Sequence, residues 1–325
     1  MPHPLKIMRN KRFVRLVIAF VCVAAIIALY RSVSHFKCCD LKDSDSTGRH
    51  VAMETETGTG VRIYRADNYN CSHLLPFRLF DGKLSQICTY DPDVDYISAM
   101  IKKWQGFQSK LIRDITLALR YAQESDVNEI NTNVTFVDLG SNIGVFTLTA
   151  AMAGYEVLAV DALRETLQLM VTSLHLAGVT SRVTVLNNAI SDVREVVSME
   201  IDRSNMGGSK VKQDSWVNQN SSDDDNVNSI NMNDLIPYVR SRRAVVKMDI
   251  EGFEERALWS ASEFFEKIDV YSVLMEWSFH RGDSGPPIIR FMSRRGMLPY
   301  SDTNKSEALD PVSYKTWPDD VVFIR

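Results

Sequence analysis

Along residues 134–325, short β-branched runs alternate with stretches whose apolar positions recur at helical spacing. VTFVDL (134–139) leads into a helical pattern ending at Ala153, EVLAVD (156–161) into one from Arg164 to Ala177, and RVTVLNNA (182–189) follows. Strands separated by helix-length segments predict βαβ units, hence a parallel sheet with helices on both faces. The alternation resumes with AVVKMDIE (244–251), a helix near Glu254 to Glu266, VYSVLMEW (270–277), a helix from Pro287 to Arg295, and a terminal strand VVFIR (321–325). Glu195 to Ile201 reads as an extra strand, and the polar run DSWVNQNSSDDDNVNS (214–229) as a surface insertion without core pattern. Upstream, Ile97, Met100, Ile101, Trp104, Phe107, Leu111, Ile112, Ile115 and Leu119 predict one or two amphipathic helices in a cap region, 61–133, that covers the sheet.

The N-terminus has a different pattern. LVIAFVCVAAIIALY (16–30) is uncharged, with five bases before it and two after it, up to Lys37. The positive-inside bias makes 1–15 a cytoplasmic tail, 16–30 a single-pass signal anchor and everything beyond it lumenal, in a type II arrangement of the Golgi or endoplasmic reticulum. The run is short, as suits a thin early-secretory bilayer; a cleaved signal peptide is the competing reading, although no small-residue cleavage site follows. Residues 31–60 are polar and aperiodic and read as a stem.

The anchor changes how charge is read. The chain has a net charge of −4, but residues 1–37 hold seven bases and no acid, so the remainder carries 30 bases against 41 acids. A globular part near −11 repels a phosphate backbone, which argues against nucleic acid as a partner. Asn70, Asn133, Asn220 and Asn304 head Asn-x-Ser/Thr triplets that a lumenal chain offers as glycan acceptors. Asn220, in a polar loop, is the favoured one and Asn133, opening a strand, the least accessible. Cys71 and Cys88 either pair or stay as buried thiols, and Cys38-Cys39 sits in the stem.

The densest chemical signal is VDLGSNIGVFTLTAA (137–151), in which a strand ends on Asp138, Gly140 and Gly144 frame a turn, and a helix starts at once. A dinucleotide fingerprint requires G-x-G-x-x-G, and position 142 is Asn, so a phosphate-binding turn and a nucleotide-dependent oxidoreductase are not supported. Asp161 ends the next strand, where a carboxylate can accept both hydrogen bonds of a ribose diol. The D-x-G-x-x-x-G form resembles motif I of class I methyltransferases. That resemblance implies an S-adenosylmethionine (SAM) cofactor held by Gly140, Ser141, Asn142 and Gly144, with Asp138 near its amino group, Asp161 on its ribose, and Asn188 and Ala189 at the adenine edge. Asn187-Asn188 is equally a good turn.

VVKMDIEGFEERAL (245–258) resembles the K-x-D-x-E-G-x-E signature of FkbM-type methyltransferases, and SNMGGS (204–209), SINMNDLI (229–236) and VLMEW (273–277) fall where that family has counterparts. The resemblance spans 134–325 and implies a doubly wound, mostly parallel seven-stranded sheet and O-methyl transfer to a hydroxyl, a glycan sugar being the favoured acceptor. Its animal members with N-terminal anchors match the layout found here, whereas the insertion before Ser229 departs from the pattern. Methyl transfer needs a polarised oxygen and in-line geometry. Asp249, Glu251, Glu276 and His280 fall at predicted strand ends where any could act as base; Asp249, Glu276 and His280 are the candidate catalytic residues, with Asp249 and Glu276 also able to hold a divalent metal. Lys247 is an ion-pair partner on the bland reading. Gly252 is expected to turn the chain so that only one of Asp249 and Glu251 faces the site. The reading from another class is a silent FkbM-like domain serving as a membrane-tethered trafficking or interaction module.

Overall fold

A computed structural model describes residues 53–56, 58–66, 68–125, 133–212 and 226–325. The anchor, the Cys38-Cys39 pair, most of the stem, Asn220 and the first twelve residues of the polar insertion, 214–225, lie outside the described residues. Among those described, no helix is long and apolar enough to cross a membrane.

The chain opens with β1 (Met53–Glu56) and β2 (Arg62–Arg65), then a hairpin of β3 (His73–Arg78) and β4 (Leu84–Thr89), then α1 (Tyr96–Trp104) and α2 (Ser109–Glu124). Next come β5 (Val134–Leu139), α3 (Val145–Met152), β6 (Glu156–Asp161), α4 (Arg164–Leu176) and β7 (Val183–Asn187). A small four-stranded sheet follows, built from β8 (Ala189–Ile190), β9 (Val196–Glu200), β10 (Lys210–Val211) and β11 (Asn226–Ile230). The chain then returns to the main sheet with β12 (Arg243–Met248), α5 (Glu254–Trp259), α6 (Ser262–Lys267), β13 (Asp269–Glu276), α7 (Gly285–Ser293), β14 (Leu298–Tyr300) and β15 (Asp320–Ile324).

The main sheet runs β1-β2-β7-β6-β5-β12-β13-β15-β14. Its β7-to-β13 core is parallel, and β15 enters antiparallel between β13 and β14. The seven strands expected from the sequence are thus extended by two. Strand order reverses between β5 and β12, which opens a crevice at their carboxyl ends, where ligands bind in such sheets. All six residues of β5 are buried, and the alternation of its side chains supplies two separate cores. Val134 and Phe136 join Leu111, Ile115 and Leu119 of α2 on one face; Val137 and Leu139 join Val246, Met248 and Phe264 on the other.

Several expectations change. The region 61–133 is not only helical: it holds β2 to β4, and Met53–Glu56, expected in the stem, pairs with β2. β1 and β2 have four residues each, and β3 and β4 are partly exposed along their six, so they give little periodic apolar signal. Cys71 and Cys88 are joined in a disulfide across the start of the hairpin. The single helix expected near Glu254 to Glu266 is two, because Ser260 turns its hydroxyl onto backbone, donating to Ala257 O at 2.9 Å while accepting from Met232 N at 2.9 Å. The insertion ends earlier than expected, since Asn226–Ser229 belongs to β11. Asn133 is exposed, but Thr135 of its triplet is fully buried within β5.

Candidate active site

The turn after β5 is shaped by what it must pass. Gly140 has φ 76°, and a Cβ there would lie 1.8 Å from the carbonyl oxygen of Asp249. Gly144 has φ 86°, and its Cβ would lie 2.3 Å from Met170 Cγ on α4. Both glycines are therefore required for packing as well as for left-handed backbone. Asn142 is also left-handed, at φ 49°. Gly140 N and Ser141 N both donate to Val160 O, and Asn142 N donates to Asp161 Oδ2 at 2.7 Å. The tips of β5 and β6 are thus laced together by the motif itself.

Around this turn lies a cavity of about 490 Å³, within the range of cofactor sites. Gly140, Ser141, Asn142, Asp161 and Ala189 line it, as do Lys247, Asp249, Glu251 and Glu276. Ser141 is 2% exposed, and its Oγ has no hydrogen-bond partner among the described residues. Buried polar atoms facing a cavity without protein partners suit a polar ligand there. Asp161 keeps its carboxylate in place with Leu163 N at 2.9 Å and Thr166 Oγ1 at 3.1 Å on Oδ1, and burial raises its pKa.

Two expected residues, Asp138 and His280, lie off the cavity wall, and Asn188 lines it with its side chain already engaged. Asp138 lies beneath the cavity rather than on its wall: it is fully buried, accepts from Thr147 Oγ1 at 2.6 Å, and sits 3.7 Å from Lys247 Nζ. Burial pushes its pKa up to about 6, against the opposing pull of Lys247 and Thr147. Asn188 reaches the cavity lining, yet its side chain is engaged in structure, accepting from Arg62 N at 2.9 Å and donating to Gly60 O and Asn228 O. It joins the β1–β2 edge to the small sheet. His280 is completely buried, off the cavity, with Glu254 2.9 Å from one ring nitrogen and Ser284 2.9 Å from the other. The structure removes it from the set that can touch an acceptor.

The crevice side of the cavity is acidic. Lys247 Nζ lies 3.1 Å from Asp249 Oδ2, donates to Gly140 O at 3.2 Å, and stands 4.9 Å from the Phe146 ring centroid. Burial opposes its charge, but Asp249 and Asp138 outweigh burial and its pKa is raised. The ion pair expected of Lys247 is present, inside the site. Asp249, Glu251 and Glu276 each present an oxygen within 4.8 Å of the others, a spacing that could also hold a divalent cation. The expectation that one of Asp249 and Glu251 points away is corrected here. The backbone is left-handed at Glu251 (φ 55°) and at Gly252 (φ 91°), which bends the chain and returns Glu251 to the side of Asp249. Burial, then repulsion by Asp249, pushes Glu251 up to about 7 and Glu276 up to about 9, and raises Asp320 on the next strand.

Sequence reasoning set Glu251 aside and did not single out Asp320 or Phe253, all of which line the cavity. The far wall comes from α1 and from the SNMGGS segment: Asp95 caps α1 through Ser98 N and also accepts from Met206 N at 3.0 Å. At Gly207 a Cβ would lie 2.4 Å from Asn142 Nδ2, so this segment closes directly over the turn. Its two glycines were the available signal.

Residues 138–298 match the family described as the methyltransferase FkbM domain. No curated protein sequence matches the chain. Among solved structures, the chain is similar to an rRNA methylase from Streptococcus thermophilus, at 13% identity over 66% of this chain and 96% of that one, with a TM-score of 0.36. It is similar to precorrin-6y C5,15-methyltransferase from Geobacter metallireducens, at 10% identity over 67% of this chain and 91% of that one, TM-score 0.33. A third likeness is magnesium protoporphyrin IX methyltransferase from Synechocystis with bound SAM, at 10% identity over 66% and 83%, TM-score 0.33.

Proposed function

Residues 138–298 form a domain of the FkbM methyltransferase family, and we propose that this chain transfers a methyl group from SAM to a hydroxyl of a glycan sugar in the lumen of the secretory pathway. The observation that carries this reading is one cavity with two unlike ends: a glycine turn braced by Asp161, and a carboxylate cluster at the tips of β12 and β13. Gly140, Ser141, Asn142 and Asp161 would hold the cofactor, which supplies an electrophilic methyl on a sulfonium. The unpartnered Ser141 Oγ supports that fit.

At the other end, Asp249 would take the proton that the acceptor hydroxyl gives up when its oxygen receives the methyl group. Lys247, itself fixed by Gly140 O and Asp138, orients Asp249. Beside it, burial and then repulsion by Asp249 raise Glu251 and Glu276, so these two carboxyls hold a proton more readily than isolated ones. The acidic lining also supports a sugar rather than a phosphate-bearing nucleic acid as the acceptor.

The deciding experiment is titration of the purified full-length chain with SAM, followed by mass spectrometry of glycans and small metabolites from cells with and without it. A mass gain of one methylene on a sugar is expected; no heat of binding would favour the silent interaction module instead. Asp161→Ala is expected to weaken SAM binding by about 1.5–3 kcal/mol for each charge-assisted bond lost, in a protein that still folds. An unchanged dissociation constant by calorimetry would remove Asp161 from the site.

The lumenal assignment rests on the basic flank of 16–30, and the Cys71–Cys88 disulfide supports an oxidising compartment. Asn70 and Asn304 are exposed and join Asn220 as acceptors. In microsomes, protease is expected to spare residues 31–325 until detergent is added, and endoglycosidase to increase gel mobility. Digestion of the whole domain without detergent would reverse the topology.

A further inference from the structure

Beside the cavity lies a buried constellation that the proposed chemistry does not use. Glu254 and His280 are both 0% exposed. Glu254 Oε2 lies 2.9 Å from His280 Nε2, while its other oxygen, Oε1, accepts from Ile250 N at 2.8 Å. Ser284 Oγ closes the far side at 2.9 Å from His280 Nδ1. His280 is tied to the end of β13, donating its backbone N–H to Trp277 O at 2.9 Å and packing edge-on against the Trp277 ring. A Cβ at Gly285 would lie 2.3 Å from His280 O, so the start of α7 presses on the same turn. The contacts run from Ile250, just after β12, through Glu254 and His280, to the end of β13.

Those are the two segments that carry the carboxylate cluster: Asp249 and Glu251 follow β12, and Glu276 ends β13. The first segment needs support, because a non-glycine residue in left-handed backbone, as at Glu251, costs about 1–2 kcal/mol. Were Glu251 to relax to extended backbone, its side chain would leave the side that Asp249 occupies.

We infer that Glu254, His280 and Ser284 are positioning residues, a buried strut between the ends of β12 and β13 that sets the spacing of Asp249, Glu251 and Glu276. Naming that cluster the acceptor site rests on the methyl-transfer reading; the strut itself does not. The strut gives the last acid of the K-x-D-x-E-G-x-E run a task of its own: Glu254 stays out of the cavity and holds the two acids that line it.

Glu254→Leu removes both acceptors at similar volume, whereas Glu254→Gln keeps an oxygen for Ile250 N and offers an amide to His280. Hydrogen exchange on the full-length chain is expected to quicken about tenfold or more at 249–253 and 276–284 in the Leu variant, with β6 and α4 unchanged. SAM affinity stays within a few-fold of wild type in the same variant, and Glu254→Gln restores the slow exchange. Exchange quickened evenly across the sheet would make Glu254 a general stabiliser and overturn the inference, as would wild-type exchange at 249–253. Ser284→Ala, read in the same way, decides the matter if the Leu variant does not fold. If the wild type binds no SAM, the cofactor assignment falls and the exchange pattern alone judges the strut.

Discussion

Asp249→Asn is expected to lower turnover by about 10²- to 10⁴-fold while SAM affinity stays within a few-fold of wild type. The asymmetry follows from position. Asp249 lies across the Gly140 turn from Asp161, so losing its charge leaves the hydrogen bonds that shape the turn intact. Lys247 is not orphaned either, since Asp138 and Gly140 O remain beside it. A chelator separates the two ways in which a carboxylate can assist. Activity lost on chelation and restored by a divalent ion means that Asp249, Glu251 and Glu276 hold a metal that acidifies the acceptor; indifference to chelation means that Asp249 takes the proton directly. Near wild-type turnover in the variant would sink both accounts and direct attention to Glu251 and Glu276.

Gly140→Ala is the second large effect. The new methyl would fall within 1.8 Å of Asp249 O and 2.8 Å of Asp249 C, both backbone atoms just past the end of β12, so no side chain can move to make room. Left-handed strain and overpacking together predict a loss of about 2–5 kcal/mol. Thermal unfolding should register it clearly, and SAM binding should fail even at temperatures where the variant is folded, because the turn and the end of β12 must separate. A variant melting with the wild type would mean that the two strand tips are not in contact.

The sheet was legible because its central strands are buried on both faces and read as unbroken apolar runs, VTFVDL and AVVKM, spaced by helices. The same property made Asp138 and Asp161 conspicuous, as charges closing such runs. What the sequence could not convey was depth: Asp138 and Asp161 look alike in text, yet one lies under the floor and the other braces the turn. Glu251 was discounted from strand periodicity, which ceases to apply once the backbone turns left-handed. His280 looked like a candidate base because tertiary burial against Glu254 leaves no trace in local pattern. Of the strands missed, β1 and β2 have only four residues, while β3 and β4 match β5 in length but have exposed positions and no continuous buried apolar run.

The N-terminal hairpin has a bearing on where this protein begins as a physical object. β2 meets β7 at Ile63 opposite Leu186, and α2 packs, beside α3, on one face of β5 and β12. A fragment cut at the family boundary, residue 138, would break β5 itself, bare the rim of β7 as an adhesive edge, and uncover the apolar face beneath α2. Such a fragment should be recovered as aggregate. One starting at residue 53 retains every strand of the sheet, so the smallest body with an unbroken sheet, 53–325, is larger by about seven-tenths than the stretch 138–298 in which kinship is written.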